Sequence, residues 1–144
     1  MYKHILAATD FSDLGDHALR KAAELAILHG AKLTFVHVKV SEDSASPMYA
    51  QHEVQAQVAQ LEDERARANT ALSARVPATA KHIKVDFEVR LGEAGAELLA
   101  AMETHDADLL VISSNGERGF REWLLGTTTE RVVRGARRDV LVVT

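Results

Sequence analysis

Two hydrophobic periods alternate along this chain. Lys3–Thr9 (KHILAAT) is a short, nearly continuous apolar run and predicts strand one. From Asp13 to His29 the apolar face returns at Ala18, Ala22, Leu25 and Ala26, the spacing of a helix, with Ser12 as N-cap and Gly30 as its stop. Ala31–Val40 (AKLTFVHVKV) is rich in β-branched residues and alternates at its end, which predicts strand two. Ser41–Gln51 is polar, holds Pro47 and reads as a loop. A second helix is predicted over His52–Arg75, where Val54, Val58, Leu61, Ala68 and Leu72 form an apolar stripe that Arg65 interrupts, and Pro77 lies beyond its end. Ile83–Leu91 (IKVDFEVRL) alternates strictly and is strand three. Glu93–Thr104 is a helix with Leu98, Leu99 and Met102 as its apolar positions, Asp108–Ser113 is strand four, Thr127–Ala136 is a last helix, and Asp139–Val143 is strand five.

Strand, helix, strand repeated from end to end gives right-handed crossovers and a parallel sheet with helices on both faces, an α/β doubly wound fold. Strands one, two, four and five are almost wholly apolar, as strands covered on both sides must be. The 144 residues fit one domain, 1–144, with no internal repeat or linker. Ligands of such sheets sit outside the carboxyl ends of the strands, where strand order reverses. That directs attention to the loop after strand one and the loop after strand four or its neighbour.

Composition narrows the function classes. The formal net charge of −4 gives no bulk attraction for nucleic acid. There is no cysteine, which excludes disulfides and thiolate metal sites. No apolar run approaches the ~20 residues of a membrane span, and Ile5–Ala8 is too short for a signal-peptide core. The expectation is a cytoplasmic protein without membrane insertion.

The two loops carry the unusual residues. Ala8, Thr9 and Asp10 close strand one, and a carboxylate there can accept from an amino or hydroxyl group of a ligand; a cap or turn partner for the first helix is the other reading of Asp10. After strand four come Ser113, Ser114, Asn115, Gly116, Glu117, Arg118 and Gly119, and later Gly126 with Thr127 and Thr128 opening a helix. Free backbone N–H groups at a helix N-terminus favour a phosphate, and glycines admit close approach. Against this, Thr127-x-x-Glu130 has the form of a capping box, and Gly116 and Gly119 suit turns. Arg118 and Arg121 stand beside Glu117 and Glu122, so phosphate contacts compete with internal ion pairs. Arg131, Arg134 and Arg138 share one side of the last helix and its end and complement its dipole. The seven histidines form no H-x-H or H-x-x-x-H pair, and His37 within strand two reads as packed. The P-loop, the dinucleotide glycine fingerprint and the nucleophile elbow are all missing, so no catalytic residues are assigned.

The opening Lys3–Ser12 (K-x-I-L-x-A-T-D-F-S), Val36-His37-Val38, Ala107–Ile112 and the closing G-T-T-T-E-R-V-V-R-G-A-R-R-D-V-L-V-V together resemble the universal stress proteins from end to end. The resemblance implies strand order 3-2-1-4-5, a Rossmann-like or flavodoxin-like sheet with its switch between strands one and four. The nucleotide-binding branch of that family carries glycine, two residues, glycine, nine residues, glycine, then serine or threonine. Gly116, Gly126 and Thr127 match it, and Ser113 replaces the first glycine. By the resemblance, Asp10 and the backbone near Val38 hold adenine, the Ser113 position lies against the ribose, and Gly116, Gly126, Thr127 and Thr128 cradle phosphates of ATP or AMP, with Mg2+ as an accompanying ion. A side chain at Ser113 can crowd the sugar or donate to it. The functional expectation is a nucleotide-sensitive regulator, not an enzyme, that forms a homodimer through the strand-five edge and acts on a protein partner of unknown identity. A dimeric interaction module without nucleotide and a slow ATPase are the alternatives.

Overall fold

The computed structural model describes residues 1–40, 51–114 and 125–144. Five strands, β1 (His4–Ala8), β2 (Lys32–Lys39), β3 (Val85–Leu91), β4 (Leu109–Ser113) and β5 (Asp139–Val143), pair in parallel in the order β3-β2-β1-β4-β5. The parallel sheet and its switch between β1 and β4 are as expected. Central position follows composition: β4 is buried at all five residues, and β1 at four of its five. Edge strand β3 keeps the alternation, turning Val85, Phe87 and Val89 inward and leaving charged residues between them.

Among the described residues, four α-helices cover the sheet, α1 (Asp13–His29), α2 (Gln51–Ser73), α3 (Ala94–Thr104) and α4 (Thr127–Gly135). Ala18, Leu19, Ala22, Ala23 and Ala26 of α1, with Leu72 at the end of α2, bury Ile5, Ala7, Leu33, Phe35, Leu109 and Val111 on one face. Leu98, Ala101 and Met102 of α3 and Val132 of α4 bury Leu6, Ala8, Val36, Leu110 and Ile112 on the other. Small side chains on α1 let it lie close to the sheet, and Gly30 ends it in the left-handed conformation at φ 64°.

Three differences from the sequence reading have physical causes. The apolar stripe of α2 is only partly a core stripe: Leu72 is fully buried, whereas Val58 and Leu61 are 49% and 39% exposed. Arg65, which breaks that stripe, donates from Nε and Nη2 to the Val89 carbonyl at 3.3 and 3.0 Å, so the helix meets edge strand β3 through a polar contact. Helix α2 ends at Ser73, two residues before the predicted limit, which releases Arg75 from the helix. A short 3-10 turn, Ala78–Ala80, follows Pro77 and buries Ala80 in the core; the sequence reading assigned no element there.

Candidate functional site

The β1–α1 turn is built from short-range hydrogen bonds. Thr9 continues the ladder, its N–H reaching the Val36 carbonyl at 3.1 Å, and its Oγ1 accepts the Phe11 N–H at 3.0 Å. Asp10 Oδ1 accepts the Ser12 N–H at 3.0 Å and also the Ser12 hydroxyl. Ser12 Oγ in turn accepts the Gly15 N–H at 3.1 Å and caps α1. The turn-partner reading of Asp10 therefore holds, and the same residue lines a cavity. Gly15 makes this possible, since a Cβ there would stand 2.6 Å from Thr9 Oγ1 and 2.8 Å from Asp10 Oδ1.

On the far side of the switch point, the β4 end and the start of α4 are tied together. Ser114 N donates to the Val143 carbonyl at 2.8 Å and Gly126 N to the Ser114 carbonyl at 2.7 Å. Thr129 Oγ1 donates to the Ser113 carbonyl at 2.7 Å. Gly126 is the N-cap of α4, in an extended conformation at φ −63° and ψ 159°, and it has no side chain with which to cap the helix. The first helical bond runs from Glu130 N to Gly126 O at 2.9 Å. The amides of Thr127, Thr128 and Thr129 thus have no intrahelical acceptor. The other capped α-helices differ: α1 has Ser12, and α3 has the Glu93 carboxylate, which accepts from Gly95 N at 3.0 Å and Ala96 N at 2.7 Å. Those bonds, Ala96 first, hold the Glu93 carboxyl below the usual carboxylate range.

This geometry corrects two expectations. The capping box does not form, because the helix starts one residue earlier than the box requires: Thr127 is the first helical residue rather than the N-cap, and Glu130 is occupied by Arg134 Nη2 at 3.0 Å. Of the three arginines expected to complement the dipole, Arg134 alone lies in the last turn of α4, and each of the three also has its own carboxylate partner. Arg131 Nη1 meets Glu93 at 2.9 Å, Arg138 Nη2 meets Asp106 at 3.0 Å, and Arg134, in the last turn of α4, meets Glu130.

Between the two loops lies a cavity of about 210 Å³. Ala8, Thr9 and Asp10 form one wall, and Ser113 with Gly126 to Thr129 forms another; Val36, Val38 and Ile112 are its apolar floor. The structure thus brings together Ala8, Thr9, Asp10, Val38, Ser113, Gly126, Thr127 and Thr128 from the sequence-derived set. Ser114 is buried beside them, its amide engaged with β5. Asn115, Gly116, Arg118, Gly119 and Arg121 lie outside the described residues. Ala94 and Leu98 of α3 also line the cavity, and sequence reasoning placed Leu98 only in the core. They reach it because α3 and α4 approach closely: a Cβ on Gly95 would stand 2.8 Å from Arg131 Cδ. A glycine in the first turn of a helix was the signal for that approach. Among the described residues, no three His, Asp or Glu side chains gather in a way that could hold a metal ion. His37 is packed as expected, its ring centroid 4.2 Å from that of Phe11 and its Nδ1 donating to the Thr9 carbonyl at 2.9 Å.

Known proteins share this architecture. The universal stress protein A homolog of Haemophilus influenzae is 30% identical over 146 residues, spanning 99% of this chain and 96% of that one. Universal stress protein MJ0577 of Methanocaldococcus jannaschii is 27% identical over 158 residues, and the solved structure of MJ0577 superposes with a TM-score of 0.76 over 99% of this chain and 96% of that one. A universal stress protein crystallised in complex with cAMP superposes with a TM-score of 0.72 at 23% identity, covering 99% and 97%. The Archaeoglobus fulgidus protein in complex with dAMP superposes at 0.63 and 18% identity, covering 99% and 98%. The family description that matches residues 1–144 in full is the universal stress protein family, and with this fold and these relatives the chain belongs to it.

Proposed function

We propose that this chain is a cytoplasmic stress-response protein that binds an adenine nucleotide, ATP or AMP, at the β1/β4 switch point and acts as a dimeric regulator rather than as an enzyme. The observation that carries this reading is the start of α4: three amides without an intrahelical acceptor line the same cavity as the Asp10 carboxylate. Oriented amides at a helix N-terminus favour phosphate. Asp10 is suited to an exocyclic amino group at an adenine edge, with the backbone near Val38, while Val36, Val38, Leu98 and Ile112 offer apolar surface to the base. Ser113 stands where the sugar would lie. The cavity is smaller than the ~300 Å³ at which ligand pockets commonly begin, which suits base and sugar inside, with phosphates running out along Thr127 and Thr128. Two solved relatives are complexes with adenine nucleotides, cAMP and dAMP. Asp10 is the one described carboxylate in the cavity wall, so Mg2+ would be held chiefly by the phosphates themselves.

The regulatory partner is a protein; the net charge of −4 disfavours nucleic acid, and no helix among the described residues is long and apolar enough to cross a membrane. The β5 edge is the proposed homodimer surface. Leu141 of that strand is 36% exposed and Val133 of α4 is 44% exposed. An uncovered, largely apolar edge pairs readily with another chain.

Calorimetric titration with ATP and GTP tests the site. ATP should bind at least about tenfold more tightly, because the guanine oxygen would face the Asp10 carboxylate. Gly126→Val, which places a side chain where the phosphates approach, should lose roughly tenfold to a hundredfold in ATP affinity, as expected for a lost bond to a charged group. Equal affinity for the two nucleotides would show the base pocket to be misassigned, and a folded Gly126→Val protein that binds like the parent would place the phosphates elsewhere.

A further inference from the structure

The β1–α1 turn contains an uncommon backbone: Phe11 has φ 67°, a region in which a bulky side chain is rare. Such a conformation persists only where the surroundings hold it. Here the surroundings come from the end of α2, 64 residues along the chain. The Arg75 guanidinium lies over the Phe11 ring, its Cζ 4.7 Å from the centroid. Arg75 Nη2 donates to the Phe11 carbonyl at 3.3 Å, Nε meets Asp16 Oδ1 in the first turn of α1 at 2.8 Å, and Nη1 donates to the Ala71 carbonyl at 3.4 Å. His37 of β2 stacks on the same ring and bonds the Thr9 carbonyl. One planar fork therefore joins α2, α1 and the turn, and the two residues on either side of Phe11 are Asp10 and Ser12, whose side chains carry the carboxylate at the cavity and the cap of α1.

We propose that Arg75 is a positioning residue for Asp10, acting through Phe11: it fixes the left-handed turn that presents the carboxylate to the cavity and so sets nucleotide affinity without touching the nucleotide. The inference rests on the proposed nucleotide site. Lysine cannot replace arginine here, because its compact ammonium has neither the planar face that lies over the ring nor the spread of separated donors that reaches Phe11, Asp16 and Ala71 together.

The test combines amide hydrogen exchange, followed by NMR, with ATP titration, on the parent, Arg75→Met and Arg75→Lys. The Phe11, Ser12 and Gly15 N–H groups all donate to side chains within the turn. In both variants their exchange should quicken by about tenfold or more, while the amides of Ala22 and Ala23 in α1 keep the parent rate. ATP affinity should fall roughly tenfold, and equally in the lysine variant. In a Phe11→Gly background, where a positive φ needs no support, Arg75→Met should change ATP affinity by less than about twofold. Unchanged exchange at Phe11 and Ser12, exchange that quickens equally at Ala22 and Ala23, or parent-like ATP affinity in folded Arg75→Met overturns the proposal. If the parent itself does not bind ATP, the nucleotide reading fails, and the exchange rates still decide whether Arg75 holds the turn.

Discussion

Replacing Gly15 by alanine sets two effects of opposite sign against each other. Gly15 occupies the first turn of α1, and alanine in place of glycine in a helix stabilises by up to about 1 kcal/mol. The new Cβ, however, would stand 2.6 Å from Thr9 Oγ1 and 2.8 Å from Asp10 Oδ1, and 3.3 Å from the Asp10 amide. Ordinary contact begins near 3.4 Å, so the hydroxyl must retreat by 3.4 − 2.6 = 0.8 Å and the carboxylate by 3.4 − 2.8 = 0.6 Å. Neither oxygen is free to do so, since Thr9 Oγ1 accepts from Phe11 and Asp10 Oδ1 from Ser12. Overpacking costs about 1–3 kcal/mol, and each weakened hydrogen bond adds about 0.5–1.5 kcal/mol. The steric term wins, and the net loss should be about 1–5 kcal/mol, several degrees or more in melting temperature for a chain of this size. Displacing Asp10 by half an ångström or more should also cost about tenfold in ATP affinity, since positioning errors of this order are expensive at a site. Gly135→Ala is the control. Its Cβ would meet only the flexible end of Leu99, at 2.8 Å from Cδ1, and both melting temperature and ATP affinity should stay near the parent values. A Gly15→Ala protein that melts above the parent and binds ATP equally well would refute the reasoning.

Two further outcomes follow from other parts of the molecule. His4 donates from Nδ1 to the His105 carbonyl at 3.2 Å, and its Nε2 pairs with the Thr34 hydroxyl at 2.8 Å, accepting from it when the ring is neutral. Burial pushes its pKa below the ordinary 6.5, and Lys32 and the His105 side chain act in the same direction, against the His105 carbonyl and Asp86. A base with a depressed folded pKa contributes stability that is present above its unfolded value and lost as pH falls through the folded one. Melting temperature should therefore decline as pH drops below about 6.5, and His4→Gln should flatten that decline; an identical pH slope in the variant would exclude His4 as the cause. Light scattering at micromolar concentration should give twice the chain mass of 15.7 kDa, and Leu141→Arg on the β5 edge should give the single-chain mass with its fold intact; a parent protein that runs as a monomer would remove the proposed dimer.

Much of the fold was legible because the signal is local. Continuous apolar runs mark β1 and β4, strict alternation marks β3, and Ser12 and Gly30 delimit α1 to the residue. Strand order came from the resemblance, not from periodicity, which cannot tell which strand lies beside which. What escaped was set by distance in the chain or by a single residue of register. A Thr-x-x-Glu spacing has the same form whether the helix begins at Gly126 or at Thr127, and only the backbone decides. Val58 and Leu61 keep helical period, yet beside them α2 reaches β3 through the guanidinium of Arg65, and the apolar contact comes only later in the helix, at Ala68 and Leu72. At the site, Asp10, Ser113 and Thr127 were readable from the strand ends. Leu98 and Arg75 were not, since one arrives through the crossing of α3 and α4 and the other from the opposite face of the sheet.

The contact of Arg65 with Val89 has a consequence for how far copies of this chain can add to one another. It occupies a carbonyl on the outer margin of β3, and the neighbouring Lys39–Glu64 ion pair places charge beside the same margin. Among the described residues, a side chain thus occupies the outer margin of β3 at Val89, and none does so on β5. Two copies that joined β5 to β5, as proposed, would use up both β5 edges and leave the Arg65-bearing β3 margins outermost. In the proposed dimer, a row of strands that could otherwise lengthen, the hazard of any exposed β edge, would meet this arginine at each outer flank.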